Sequence, residues 1–338
     1  MGGGRRFVLH FLPLIRSLSV SSHWRTYSPV RALSHLSAAF STFTETASTI
    51  TYNMTQRTPP RPIRACLFDM DGLLINTEDL ITTSINTILH NYNKPSMPGN
   101  IRAQLQGLHL KDASKILLEW SQLPLTFEEY QIELAEQHQR LFPTAKPMPG
   151  VVKLLETLGG CEQVELALAT SSGRGKFELK TSHLSELFSY FPAECQILGD
   201  DPRLGRGKGK PEPDIYLLAL HAVKSKIKSE GKAPISPGEC LVFEDSVAGV
   251  RSGRRAGMQV VWCPHPDIIR EYHGREEEVL AGDARSGEHA DDAGAHVRGN
   301  VSHDPNSGSR GPLWSEDGWA RLLTTLEGFS YEEFGITP

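Results

Sequence analysis

The sequence predicts an α/β protein: a Rossmann-like parallel sheet core flanked by helices, with an inserted helical cap domain. Three observations predict it. The short runs 65–68, 164–169 and 240–243 are apolar with almost no alternation, as in strands buried on both faces of a parallel sheet. Each ends abruptly in polar residues, Asp69 and Asp71, Thr170 to Ser172, and Glu244 and Asp245. About seventy residues of helical pattern separate the first run from the second, too many for a simple crossover.

Taken in order, residues 1–57 are expected to be a disordered leader. Positions 1–43 hold no Asp, Glu or Lys, but Arg5, Arg6, Arg16, Arg25 and Arg31 stand among serines and apolar residues, which suits a mitochondrial transit peptide. A start at Met54 would give a cytosolic form, so the location reads as cytoplasmic or mitochondrial. The core is expected over 62–78 and 147–338, with the cap over 79–146. In the cap, Leu80, Ile81, Ile85, Ile88 and Leu89 form a helical stripe within 78–92. Further helices are expected over 101–120 and 127–141, the last with Glu128 and Glu129 in its first turn, where the helix dipole favours them. The core resumes with a helix over 151–158, the strand 164–169, a short strand within 194–198, the strand from 240, a helix over 247–256 and a strand over 258–263. Residues 273–312, almost free of large apolar side chains, read as a disordered insertion within the core region. Residues 314–334 read as a docked terminal helix.

Composition excludes some functions. A formal net charge of −5 supplies no basic face for non-specific nucleic-acid binding. No run approaches the ~18 apolar residues that a membrane-spanning helix needs. The five cysteines form no C-x-x-C pair and lie in or beside apolar segments, as buried reduced thiols do.

The strand ends carry the chemistry. In open α/β sheets the ligand crevice lies outside the carboxyl ends of the strands. With a strand period of two, Asp69 and Asp71 leave on one side, and two carboxylates in one small volume need a cation or a proton. Thr170 to Gly173 can offer hydroxyl and backbone donors to a phosphate oxygen, or can simply cap a helix. Lys210 is aimed by Pro211 and Pro213; Lys208 is a rival without that proline context. Glu244 and Asp245 suit a turn by themselves, but beside the other strand-end acids they are hard oxygen ligands for Mg²⁺.

Asp69-Met70-Asp71-Gly72 with Thr77-Glu78, the strand closing on Thr170, Lys210-Pro211-Glu212-Pro213-Asp214 and the strand closing on Glu244-Asp245 occur in this order within 64–263. Together they resemble the four signatures of the haloacid-dehalogenase-like hydrolases, in the helical-cap phosphatase subgroup, and look most like its pseudouridine-5′-phosphatase branch. The resemblance implies a Mg²⁺-dependent phosphomonoesterase acting through an aspartyl-phosphate intermediate. Its partner would be a small phosphorylated metabolite, pseudouridine 5′-phosphate or a sugar or polyol phosphate. Asp69 would be the nucleophile and Asp71 the general acid and base, with a pKa raised above its reference of ~3.9. Thr170, the Ser171 N–H and Lys210 would hold the phosphate. Asp69, Asp245, the main-chain carbonyl of Asp71 and, through water, Glu244 would hold Mg²⁺. A phosphosugar mutase of the β-phosphoglucomutase type is the alternative; it needs a basic cap residue, for which Lys111 is the candidate. A catalytically inactive binding module would lack Asp69 or Asp71, and both are present.

Overall fold

The computed structural model describes residues 62–106, 108, 110–205, 208–283 and 313–338. The expected leader, and positions 284–312 of the expected insertion, lie outside the described residues. Seven strands form one sheet: β1 (Ala65–Phe68), β2 (Glu165–Ala169), β3 (Gln196–Ile197), β4 (Cys240–Glu244), β5 (Gln259–Trp262), β6 (Leu313–Trp314) and β7 (Ala320–Leu322). Their order is β3-β2-β1-β4-β5-β7-β6, parallel throughout except for the antiparallel pair β6–β7. The chain runs outward from β1 through β2 to β3 and then returns to β4 on the other side of β1. That reversal is a topological switch point, where such sheets leave a crevice.

Alternation along β1 explains its uniform burial. Ala65 and Leu67 belong to the apolar cluster on one face, while Cys66 and Phe68 belong to the cluster on the other. Phe68 pairs with Leu168 and Phe243 in register, and its ring stacks on Phe243 at 4.5 Å and 3°. The register brings Asp69 beside Glu244, with the Asp69 N–H donating to Phe243 O at 3.0 Å.

Four helices follow β1: α1 (Thr77–Asn91), α2 (Gly99–Leu105), α3 (Leu110–Ser121) and α4 (Phe127–Leu141). They enclose an apolar cluster of their own, including Ile85, Ile88, Leu89, Met97, Leu117, Tyr130 and Leu134. Thr126 caps α4 in a reciprocal capping box with Glu129, which gives that acid a second role besides meeting the dipole. The two connections to the sheet run side by side: the Asn76 N–H donates to Lys146 O at 3.0 Å, and the Lys146 N–H donates to Asn76 Oδ1 at 2.8 Å. Beyond them come α5 (Val151–Gly159), α6 (Arg174–Thr181), α7 (Ser185–Phe188), α8 (Asp214–Ser229), α9 (Val247–Arg255), α10 (Pro266–Glu271) and α11 (Glu276–Ala281).

Three expectations need correction. The single helix expected over 101–120 is broken between Leu105 and Leu110, because Gln106 takes an extended backbone that frees its side chain for the sheet end. Residues 276–281, within the expected insertion, form α11, held by buried Val279 and Leu280. The terminal segment is not a helix: β7 pairs with the outer edge of β5, whose backbone groups would otherwise lack partners, and Phe329 and Phe334 dock on the core.

Candidate active site

The site forms where β1 and β4 end. Gly72 turns the chain out of β1 at φ +81°, and a Cβ there would lie 2.3 Å from Asp245 Oδ2 and 2.8 Å from Glu78 Cγ. No side chain fits. Gly249, in the first turn of α9, is similarly confined, since a Cβ would meet the Glu244 carboxyl at 1.8 Å.

Asp69, Glu244 and Asp245 are buried, and one carboxylate oxygen from each lies within 4.8 Å of the others. Lys210, also buried, bonds to Asp69 Oδ1 and lies 2.6 Å from Glu244 Oε1. Tyr216 donates its hydroxyl to the same Glu244 oxygen at 2.6 Å. The other oxygen, Oε2, accepts from the Asp245 and Ser246 N–H groups at 3.1 and 3.2 Å. Both Glu244 oxygens are thus engaged, so its geometry is that of an anchor for Lys210. Asp245 Oδ2 faces the helical layer and accepts from Gln106 Nε2 at 2.7 Å.

The electrostatics follow from this crowding. Burial, against the opposing pull of Lys210 and with the push of Glu244 and Asp71, raises the Asp69 pKa to about 8. Burial and the charges of Asp69, Glu244 and Glu78 push Asp245 well above the ordinary carboxylate range. Burial by itself would lower the Lys210 pKa, but Asp69 and Glu244 outweigh it and hold the ammonium protonated. Three buried carboxylates with Lys210 as their shared cation remain short of positive charge. The donors are all oxygen, which fits a hard divalent cation such as Mg²⁺.

Asp71 departs from expectation. The strand ends at Phe68, so the period of two does not extend to position 71, and this carboxylate turns to a different lysine. Lys180 Nζ donates to Asp71 Oδ1 at 2.6 Å, Thr77 Oγ1 donates to the same oxygen at 2.5 Å, and Ser172 Oγ donates to Oδ2 at 2.7 Å. Burial raises the Asp71 pKa, yet the Lys180 charge and these hydrogen bonds together bring it below its ordinary value. The cation that opposes a raised Asp71 pKa is therefore Lys180.

Of the expected phosphate donors, Ser171 and Lys210 line the central cavity, whereas Thr170 is fully buried behind it. The Thr170 hydroxyl accepts from the Ser172 N–H at 3.1 Å, leaving its own hydrogen free to be donated. The cavity measures about 990 Å³ and runs from Asp69 and Asp71 up to the helical layer. Lys111 is not among its lining residues; Leu110 is. Sequence reasoning missed Lys180 and Gln106, and it read Ser172 within a phosphate-donor stretch rather than as a partner of Asp71. The signal for Lys180 was its place three residues after Phe177, on the buried stripe of α6.

Comparison with known proteins bears on this arrangement. A sequence model of the family described as "Haloacid dehalogenase-like hydrolase" matches residues 66–263. A Saccharomyces cerevisiae protein named "Probable pseudouridine-5'-phosphatase" is 40% identical over 225 residues, which cover 67% of this chain and 92% of that protein. An Arabidopsis thaliana protein named "(DL)-glycerol-3-phosphatase 1, mitochondrial" is 34% identical over 217 residues, covering 64% of this chain and 68% of that one. The crystal structure of an Entamoeba histolytica HAD hydrolase, family IA, variant 3, is similar in fold at a TM-score of 0.52, with 20% identity, covering 81% of this chain and 98% of that one.

Proposed function

Since the chain belongs to the haloacid dehalogenase-like hydrolases, we propose that it is a Mg²⁺-dependent phosphoric monoester hydrolase working through an aspartyl-phosphate on Asp69. The observation that carries the reading is the cluster of Asp69, Glu244 and Asp245 around Lys210 at the floor of a deep cavity. Asp69 attacks phosphorus while the leaving oxygen takes a proton from Asp71; water then attacks the acyl-phosphate, with Asp71 receiving its proton. Lys210, the Ser171 N–H and the Thr170 hydroxyl hold the transferring oxygens. Asp69, Asp245 and the Asp71 carbonyl would hold Mg²⁺, with Glu244 outside them. Bound there, the ion screens the repulsion between carboxylate and phosphate dianion.

Helices 79–146 act as a cap over this crevice, hinged at the paired linkers near Thr77 and Lys146. Pseudouridine 5′-phosphate leads the candidate substrates, followed by a sugar or polyol phosphate, in line with what the relatives' names say of them. The composition of the leader supports a mitochondrial form beside a cytosolic one.

Phosphate release from a panel of phosphorylated nucleosides, sugars and polyols tests the reading. Chelation with EDTA should stop turnover and added Mg²⁺ restore it; activity that persists after rigorous chelation counts against the metal site. Lys180 adds a second expectation. As Asp71 gives up its proton it becomes a carboxylate, which Lys180 stabilises. Lys180→Met should raise the Asp71 pKa and so move the pH profile of kcat/KM for an alkyl phosphate to higher pH, while sparing that of p-nitrophenyl phosphate, whose leaving group departs without a proton. The same profile in variant and parent, or the same change on both substrates, would remove Lys180 from the proton-transfer step.

A further inference from the structure

The three acids at the floor of the cavity are not oriented by the same part of the chain. Asp69 is held by Lys210, and Glu244 by Lys210, the Tyr216 hydroxyl and the N–H groups of Asp245 and Ser246, all of them in the core. The Asp245 carboxyl takes its hydrogen bond from the helical layer instead. Among the described residues its donor is Gln106, whose Nε2 lies 2.7 Å from Oδ2. Gln106 reaches it because α2 is seated on the core. Ala103 is buried in the same apolar cluster as Val247 of α9 and Ile268 of α10. Arg102 donates through Nη1 to Asp267 Oδ2 of α10 at 3.3 Å and through Nη2 to Asp79 Oδ1 of α1 at 2.9 Å. The Gln106 N–H still bonds to Arg102 O at 3.2 Å, so the two side chains leave from one turn and grip two core acids, Asp267 and Asp245.

A hydrogen bond to a metal-ligating carboxylate fixes the direction in which it faces the ion, and removing such a partner typically weakens metal binding by about 10–100-fold. We propose that Gln106 is a positioning residue that makes Mg²⁺ binding and seating of the cap support each other: docked α2 aligns Asp245 for the ion, and an ion on Asp245 in turn holds α2 down. The proposal rests on the phosphatase reading above and deepens it by naming how the metal site is regulated. Asp69 and Glu244 keep their own core partners when the cap lifts, so the crevice can open to substrate without losing its floor. Asp245 alone of the three then gives up its donor. An amide suits this task because it donates without a positive charge, whereas a charged donor there would repel the ion that must bind. The coupling runs both ways by necessity: the factor that the seated cap adds to metal affinity is the factor that the metal adds to seating.

The test is Mg²⁺ affinity, measured by titration calorimetry of the full chain without substrate, in the parent, in Gln106→Leu and in Arg102→Met, with a thermal melt of each preparation to show that it is folded. Leucine keeps most of the side-chain bulk and removes the donor. It should weaken Mg²⁺ binding about tenfold. Arg102→Met touches none of the three acids yet loosens α2, so it should weaken Mg²⁺ binding too, by about fivefold, the low end of ordinary coupling between sites. At saturating Mg²⁺ the kcat of Gln106→Leu for p-nitrophenyl phosphate should return close to that of the parent, because the residue acts through the metal site. Unchanged Mg²⁺ affinity in Gln106→Leu would overturn the proposal, and so would tighter binding, which would show the amide competing with the ion. Parental affinity in Arg102→Met would sever the link to cap seating. A loss of kcat that saturating Mg²⁺ does not restore would place Gln106 on the substrate instead. A parent that binds Mg²⁺ but hydrolyses no phosphomonoester would overturn the phosphatase reading and leave the affinity comparison standing.

Discussion

Asp69→Asn should lower kcat for every phosphomonoester by roughly 10⁴-fold or more, the scale expected when a catalytic nucleophile is removed, while the protein remains folded. An amide nitrogen or oxygen is a far weaker nucleophile than a carboxylate, so the acyl-phosphate cannot form at a useful rate. The fold should survive because asparagine has the same shape and Lys210 keeps Glu244 as a partner at 2.6 Å. Burial already disfavours the ionised form of Asp69, so a neutral amide relieves rather than creates a charge problem. Phosphate release and a thermal melt of the same preparation separate the two effects. Activity within a few-fold of the parent, in a folded protein, would remove Asp69 from the nucleophile role.

The acids at the strand ends were legible in the sequence because two local signals coincide there: an apolar run long enough for a buried strand, and carboxylates at its carboxyl end. Lys210 was legible from its prolines. Lys180 was not, since a lysine in an eight-residue helix reads as solvated until the stripe through Phe177 is seen to face the core. Gln106 was hidden by a helical pattern that runs through it, and its partner Asp245 lies 139 positions away. The orientation of Asp71 was misread because a strand rule was carried past the last strand residue. The terminal strands were missed for a different reason: the open edge of β5 that recruits β7 is a property of the assembled sheet, and nothing within 314–334 records it. Local chemistry was readable wherever backbone geometry fixes it. Pairings made by tertiary approach were not.

Lys210→Met should show how much of the fold depends on that buried cation. Methionine can keep packing against the Tyr216 ring, whose centroid lies 5.2 Å from Lys210 Nζ, but Asp69, Glu244 and Asp245 lose their shared positive charge. Leaving buried charges unpaired costs about 3–5 kcal/mol. The loss should depend on pH. Asp69 has a native pKa of about 8 against an ordinary value of 3.8, so between those values the native state binds more protons than the unfolded one. Stability of the metal-free parent therefore falls as pH rises from about 4 to about 8. Lys210 has a raised native pKa, so its own contribution is complete below its ordinary value of 10.5 and is lost only on more alkaline titration, outside this window. Without Lys210 to lower it, Asp69 titrates higher still, so in the variant the fall continues above pH 8. Urea melts of metal-free protein should then show the variant destabilised by up to about 3–5 kcal/mol, with a larger loss near pH 9, where Asp69 is ionised beside Lys210 in the parent but still protonated in the variant, than near pH 6. Added Mg²⁺ should stabilise the variant more than the parent, because it supplies the charge the lysine took with it. An equal loss at both pH values, with no preferential rescue by Mg²⁺, would mean that Lys210 acts through packing and that the carboxylate cluster is balanced by other groups.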